Sequence, residues 1–180
     1  MEPKPYQEND KPCDTVCEPV AFYGTPAYID LAKRYSYADY LTWTDNVRRE
    51  LVDGFIQIMS GVRIVHNYVT VNLTSIFRQY IKKRKGKCKI FLTQVDVRLP
   101  KNGETADNQI YTVLQPDICL VCDPSKIDEK GIIGAPDLVV EVQSPSTARY
   151  TYDIVYNPDA KVPVRTIEGL KIELKELFED

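Results

Sequence analysis

The chain has 180 residues, a length typical of a single domain, and 43% of them are hydrophobic. Its 23 Lys and Arg residues against 26 Asp and Glu residues give a net charge of −3. This balance excludes a strongly basic nucleic-acid coat protein and a disordered polyelectrolyte. No apolar run approaches the ~20 residues of a membrane span, and the N-terminal residues lack the apolar core of a signal peptide. We therefore expect a cytoplasmic protein with no membrane partner.

The cysteines do not indicate a disulfide framework, because their number is odd and a cytoplasmic protein keeps its thiols reduced. Cys119 and Cys122 form a CxxC motif, but they fall in an apolar strand where an odd spacing directs side chains to opposite faces. The only histidine, His66, is far away in the sequence. We expect no zinc site. The five cysteines are Cys13, Cys17, Cys88, Cys119 and Cys122.

The sequence predicts an extended or partly ordered N-terminal arm over residues 1–34 and one domain over residues 35–180. The arm is rich in Pro and polar residues and shows no sustained periodicity. The domain opens with a short helix that Ser36 caps, with Asp39 three residues further on. The pair Asp53-Gly54 between two apolar runs then predicts a β-hairpin.

A long helix is predicted within residues 62–87, because mostly apolar side chains recur every three or four positions there, the spacing of one helical face. The spaced residues are His66, Val69, Leu73, Ile76, Phe77 and Tyr80. The basic run from Lys82 to Lys85 suits a helix C-terminus, where exposed carbonyl groups favour cations. Contact with phosphate groups is the alternative.

The second half of the chain predicts mostly strands. Residues 88–99 alternate in polarity, as one strand would, and two apolar runs begin at Pro116-Asp117 and Pro136-Asp137. Runs that are apolar on both faces belong in a sheet covered on both sides. Four apolar residues of the tail can dock on the core: Leu170, Ile172, Leu174 and Leu177. The predicted fold is α/β, a mixed central sheet with a long helix packed on it.

Two carboxylates occupy places where an apolar residue is expected. Glu141 lies inside the last apolar run, and Asp117 opens the run before it. A buried carboxylate is costly unless it is paired, protonated or bound to a metal. If the two strands are neighbours, the negative charges converge, and a divalent cation such as Mg²⁺ or Mn²⁺ would neutralise them. The alternative is a hydrogen bond to a helix N-terminus, to Arg63 or to Arg98.

These residues resemble the D…(D/E)-X-K active site of the PD-(D/E)XK nuclease superfamily. Their order and spacing are most similar to the Uma-type family of restriction endonucleases, over residues 35–149 and 152–178. The motifs that carry the resemblance are YSYADYL, RRELVDGFIQIM, the helix headed by His66, QPDICLVCD and GAPDLVVEVQSPSTAR. The resemblance implies a restriction-endonuclease-like fold and metal-dependent hydrolysis of phosphodiester bonds in DNA.

The same resemblance implies the residues of an active site. Asp117, Glu141 and Glu50 take the positions of the metal ligands for Mg²⁺ or Mn²⁺, and His66 matches the family's histidine. The superfamily's third signature residue is a lysine that positions water and stabilises negative charge. Gln143 stands there instead, and it supplies a neutral donor.

The sequence also departs from the family pattern after SPST. A helix bearing Asp and Lys and further strands are missing between Thr151 and Tyr152, so we expect a sheet shortened near the C-terminus. An exposed sheet edge favours pairing, which predicts a homodimer. The departure leaves three hypotheses open. The chain is a metal-dependent endonuclease, or an impaired scaffold of the same fold that dimerises or binds nucleic acid without cutting it, or a cytoplasmic protein with a metal-free buried pair of acids. Arg49 and Arg63 are candidate phosphate contacts, with ordinary surface charges as the alternative.

Overall fold

The computed structural model describes residues 29–59, 61, 63–142 and 160–177. Two α-helices lie in this part of the chain, α1 (Tyr37–Tyr40) and α2 (Ile64–Lys83). Short 3₁₀ turns occur at Asp107–Gln109, Pro124–Lys126 and Leu174–Leu177. The strands are β1 (Arg49–Val52), β2 (Phe55–Ile58), β3 (Lys89–Leu92), β4 (Val97–Arg98), β5 (Val113–Leu114), β6 (Ile118–Val121), β7 (Ile127–Asp128), β8 (Gly131–Ile133), β9 (Leu138–Val140), β10 (Lys161–Pro163) and β11 (Lys171–Glu173).

The first two predicted elements are confirmed. The Ser36 side chain accepts a hydrogen bond from the Asp39 N–H, and the Asp39 carboxylate accepts one from the Ser36 N–H. The backbone N–H groups of Ser36 and Asp39 are therefore both paired at the start of α1. Strands β1 and β2 form an antiparallel hairpin. Asp53 and Gly54 occupy its turn with φ angles of 52° and 86°, the left-handed conformation that Asp and Gly adopt readily.

Helix α2 packs its apolar face on the main core, as its spacing predicts. Val69, Leu73 and Phe77 are buried against Ile118 and Leu120 of β6. The tail docks on the same cluster through Leu170, Ile172 and Leu177, with Leu174 partly buried beside them. The predicted helical face and the predicted docking of the tail are therefore confirmed.

The strands form a mixed sheet of six strands and smaller sheets beside it. The six-stranded sheet has the order β2-β1-β5-β4-β8-β7, with β4 and β8 parallel and the other neighbours antiparallel. A three-stranded sheet has the order β3-β6-β9, and β10 pairs with β11. All four residues of β6 are buried, because α2 covers one face and a cluster around Val97 and Ile132 covers the other. A sheet covered on both sides is thus confirmed at β6, whereas Val139 of β9 is 45% exposed.

The single strand predicted over residues 88–99 is wrong. Its two halves are β3 and β4, which belong to different sheets. A turn separates them, in which Gln94 has a φ of 80° and Thr93 donates a backbone hydrogen bond to Asp117. The alternating pattern spans this turn because Phe91, Val95 and Val97 all contact one apolar cluster.

The expectation of five reduced thiols is also wrong, since Cys88 and Cys122 form a disulfide. In the antiparallel register of β3 and β6, Lys89 pairs with Val121, so Cys88 and Cys122 face each other one position further on. Linear spacing does not reveal this pairing. Cys119 is a free, buried thiol, and burial followed by the negative charge of Glu141 raises its pKa to about 11.

No helix in the described ranges has both the length and the apolar character needed to cross a membrane.

Candidate active site

The site forms where the chain crosses from the six-stranded sheet to the three-stranded sheet. Strand β5 ends at Leu114, and β6 begins at Ile118. Pro116 lies between them and has no N–H for either ladder. Because Leu51 of β1 pairs with Val113 of β5, the neighbouring Glu50 reaches the crossing. Its Oε1 accepts a hydrogen bond of 2.6 Å from the N–H of Gln115.

Asp117 and Glu141 come together at one end of the three-stranded sheet. Ile118 of β6 pairs with Val140 of β9, and this antiparallel register sets the two acids opposite each other one position further on. Their carboxyl groups share a hydrogen bond. The N–H of Val142 donates a second one, of 2.8 Å, to Asp117 Oδ2. The structure therefore holds the two acids on neighbouring strands.

The carboxylates of Glu50, Asp117 and Glu141 influence one another. Glu141 as a whole residue is exposed, yet desolvation of its carboxyl group raises its pKa from 4.5 to about 7, and the negative charges of Asp117 and Glu50 act in the same direction. Asp117 itself is only 8% exposed. The fold brings three acids to one place against their repulsion.

His66 lies in the first turn of α2 and contacts the same cluster. Its Nε2 is 2.9 Å from Asp117 Oδ2, and the carboxylate acceptor requires a proton on that nitrogen. The other ring nitrogen, Nδ1, is buried and has no hydrogen-bond partner among the described residues. His66 therefore orients Asp117.

Two arginines that the sequence suggested for this region, Arg49 and Arg98, pair with acids outside the cluster. Arg49 is buried, forms a 2.6 Å ion pair with Asp45 and lies over the ring of Trp43, so both its proposed roles, phosphate contact and surface charge, are wrong. Arg98 is buried and pairs with Asp128, so it is not the partner of Asp117 or Glu141. Arg63 is exposed at the residue before α2. Gln143 lies outside the described residues.

Sequence reasoning missed Arg48, which lies beside the cluster. Arg48 directly precedes β1 and lies two positions before Glu50, so continuing the alternation of the strand backwards from Glu50 was the signal that identifies it. Arg48 Nη2 is 3.4 Å from Gln115 Oε1. Its Nε is buried and has no partner in the described part of the chain. Arg48 thus carries a positive charge on the Glu50 side of the cluster.

A second missed feature is the polar network that fixes Gln115. The Gln115 side chain donates to Tyr40 Oη (3.1 Å) and Asp96 Oδ1 (3.0 Å), and Tyr37 Oη donates to Asp96 Oδ2 (3.0 Å). Burial, followed by the charge of Asp96, raises the pKa of both tyrosines, so their hydroxyl groups stay protonated. The network holds the backbone N–H of Gln115 towards Glu50.

The donor set fits a hard divalent cation. Carboxylate oxygens are the ligands that Mg²⁺ and Mn²⁺ prefer, and burial together with the charges of Asp117 and Glu50 raises the pKa of Glu141 here. Within the described residues, no three His, Cys, Asp or Glu side chains already stand in a metal-binding arrangement. Glu50, Asp117 and Glu141 are the residues that would hold the ion.

The raised pKa of Glu141 predicts how stability depends on pH without metal. Because the folded protein binds this proton more tightly than the unfolded chain does, the stabilisation is complete below pH 4.5 and is lost as the pH rises towards about 7. The free energy of unfolding, measured with urea in EDTA, should fall over this interval. Glu141→Gln should flatten the decrease, and the exposed control Glu129→Gln should retain it. An identical pH profile for Glu141→Gln and the wild type would contradict the assignment of this pH dependence to Glu141.

A family model and a curated protein both match this chain. Residues 37–163 match the model of the Uma2 family, which is described as "Putative restriction endonuclease". An uncharacterized protein of Synechocystis sp. is 32% identical over 119 residues, which are 65% of this chain. The chain spans only 57% of the length of that relative.

A solved structure shows the fold. The crystal structure of "a putative nuclease belonging to DUF820" from Anabaena variabilis matches with a TM-score of 0.58 and 19% identity. The match covers 79% of this chain and 97% of that one. At this identity the likeness establishes the mixed α/β fold, and the family model covers most of the chain. The chain therefore belongs to the Uma2 family of restriction-endonuclease-like proteins.

Proposed function

We propose that the chain is a divalent-metal-dependent endonuclease that hydrolyses phosphodiester bonds in DNA. The observation that supports this most strongly is the convergence of Glu50, Asp117 and Glu141, where burial of the Glu141 carboxyl group, followed by the charges of Asp117 and Glu50, raises its pKa to about 7. Such a cluster costs stability unless a cation offsets it. Restriction-endonuclease-like families generally use divalent metal ions, which agrees with this donor set.

Each side chain of the cluster has a role in this proposal. Glu50, Asp117 and Glu141 hold Mg²⁺ or Mn²⁺ through their carboxylate oxygens. When bound, such an ion lowers the pKa of water and offsets negative charge on the phosphate. His66 orients Asp117 through the 2.9 Å contact of its Nε2. The backbone N–H of Gln115 orients Glu50 in the same way.

Two further groups act on the substrate. Arg48 lies two positions before Glu50 and contacts Gln115, and its fixed positive charge suits a non-bridging phosphate oxygen. Gln143 follows Glu141 by two positions and supplies a neutral donor that orients water. A neutral donor stabilises developing charge less than a lysine does, so we expect slow cleavage that is faster with Mn²⁺ than with Mg²⁺.

Nicking of supercoiled plasmid by the purified protein tests the proposal. We expect cleavage with Mn²⁺ and Mg²⁺ and none with EDTA. Asp117→Ala should lower the rate at least ~100-fold, equivalent to a loss of about 2.7 kcal/mol of transition-state stabilisation. Glu129→Gln is the matched control and should cleave as the wild type does. Equal cleavage by Asp117→Ala and the wild type would refute the site.

The same assay separates a working enzyme from an impaired scaffold. If the missing positive charge limits the rate, Gln143→Lys should increase cleavage by about 10- to 1,000-fold, whereas Gln143→Met should not. The substitution of glutamine for lysine in this chain is what favours the scaffold as a second candidate. No cleavage by the wild type or by Gln143→Lys, with intact binding of metal and DNA, would favour the scaffold.

We also propose that the chain forms a two-fold homodimer. Among the described strands, β3 and β9 are the outer members of the three-stranded sheet, and free edges of this kind readily pair with another chain. A stable interface should bury roughly 1,200 Å² or more. Sedimentation should give twice the monomer mass at tens of micromolar. A monomer under these conditions would contradict the pairing.

A further inference from the structure

Lys and Arg residues are unevenly distributed along this chain. Residues 54–95 contain eight of them and no Asp or Glu. The remaining sequence contains the other 15 Lys and Arg residues and all 26 Asp and Glu residues. The segment therefore has a net charge of +8, and the rest of the chain has −11. A net charge of −3 conceals this separation, which creates a strong local field.

Six of these cations are exposed together at the C-terminal end of α2 and just beyond it. We call them the basic patch: Arg78, Lys82, Lys83, Lys85, Lys87 and Lys89. None of them forms an ion pair with an acid within the described ranges. Arg84 differs, because its guanidinium lies 5.4 Å from the centre of the Tyr80 ring. The patch is therefore a region of uncompensated positive charge.

Stabilisation of the helix end accounts for only part of the basic patch. Lys82 and Lys83 lie in the last turn of α2, where the exposed carbonyl groups favour cations. This effect fades within one turn, and Arg78 lies earlier, while Lys87 and Lys89 follow the helix. Like charges at this density repel one another and destabilise the fold. An anionic partner would remove that repulsion.

The same helix joins the basic patch to the candidate active site. His66 lies in its first turn, and Lys82 follows 16 residues later, about 24 Å along the axis. Duplex DNA carries one phosphate per strand every ~3.4 Å of its axis. A duplex that enters the site and follows α2 would present phosphates to the patch about seven base pairs from the cleaved bond.

We propose that the basic patch binds the phosphate backbone of duplex DNA beside the cleavage site, an inference that rests on the proposed function. An anionic membrane is the less suitable partner. A helix that binds a membrane surface exposes apolar side chains beside its cations. In α2 the large exposed apolar and aromatic residues lie in the first half of the helix, at Ile64, Val65, Tyr68 and Val71, and near the patch Phe77 and Ile81 pack into the core.

The test compares two triple variants with equal changes in net charge. Arg78→Gln, Lys82→Gln and Lys87→Gln together remove half of the patch, and Lys33→Gln, Lys101→Gln and Lys171→Gln remove three exposed cations elsewhere. Affinity for a fluorescent duplex of about 24 base pairs is measured in EDTA at several salt concentrations. The patch variant should bind at least ~10-fold more weakly. Its slope of log affinity against log salt should be smaller by about 2.7, because each phosphate contact contributes about 0.9. The control should keep the wild-type slope.

Several results would overturn the inference. The two triple variants could lose duplex affinity equally, or the patch variant could keep the wild-type slope. The wild type could have no affinity for the duplex at low salt. The patch variant could lose binding to anionic vesicles while it keeps its affinity for the duplex. Circular dichroism checks folding, and Lys87→Gln alone, outside the helix, should still lower the slope by about 0.9. Asp117→Ala separates the two proposals, since it should abolish cleavage and keep the patch-dependent affinity.

Discussion

The burial of the Glu141 carboxyl group beside the negative charges of Asp117 and Glu50 is the constraint on which the candidate site depends. Bringing such groups out of water costs several kcal/mol when no cation offsets them. Strand β6, which directly follows Asp117, offsets this cost. Its residues Ile118 and Leu120 are fully buried, and the burial of each contributes about 1.5–3 kcal/mol. The acids are thus held together by the apolar packing of β6 and by the pairing of β6 with β9.

The proposed substrate, DNA, is itself a polyanion. A cluster of acids repels phosphate groups, so a substrate needs positive charge elsewhere on the surface. Arg48 supplies it on the Glu50 side, and the basic patch supplies it at the far end of α2. Helix α2 therefore connects both parts of the proposed interface, since His66 contacts Asp117 in its first turn and the patch covers its C-terminal end and the residues just beyond it.

Local features were predictable from the sequence, and those that depend on long-range register were not. The cap of Ser36, the turn at Asp53 and the apolar face of α2 follow from neighbouring residues alone. The meeting of Asp117 and Glu141 depends on the pairing of β6 with β9, so the two apolar runs indicated it only on the condition that these strands are neighbours, and the family resemblance supplied the assignment of both acids to one site. The turn at Gln94, the Cys88–Cys122 disulfide and the contact of Arg48 with Gln115 depend on which strands pair, and no local pattern encodes that.

Whether the three carboxylates hold a metal ion is tested most directly by melting the protein during titration with Mg²⁺ or Mn²⁺ at neutral pH. An ion that binds only the folded state should stabilise the wild type by about 2.7 kcal/mol at a hundredfold excess over its Kd. Glu141→Gln should lose most of this gain, whereas Glu129→Gln should keep it. An equal rise of the melting temperature in Glu141→Gln would mean that the ion binds elsewhere. No rise with either ion would contradict the account and leave Asp117 and Glu141 as a buried pair without metal.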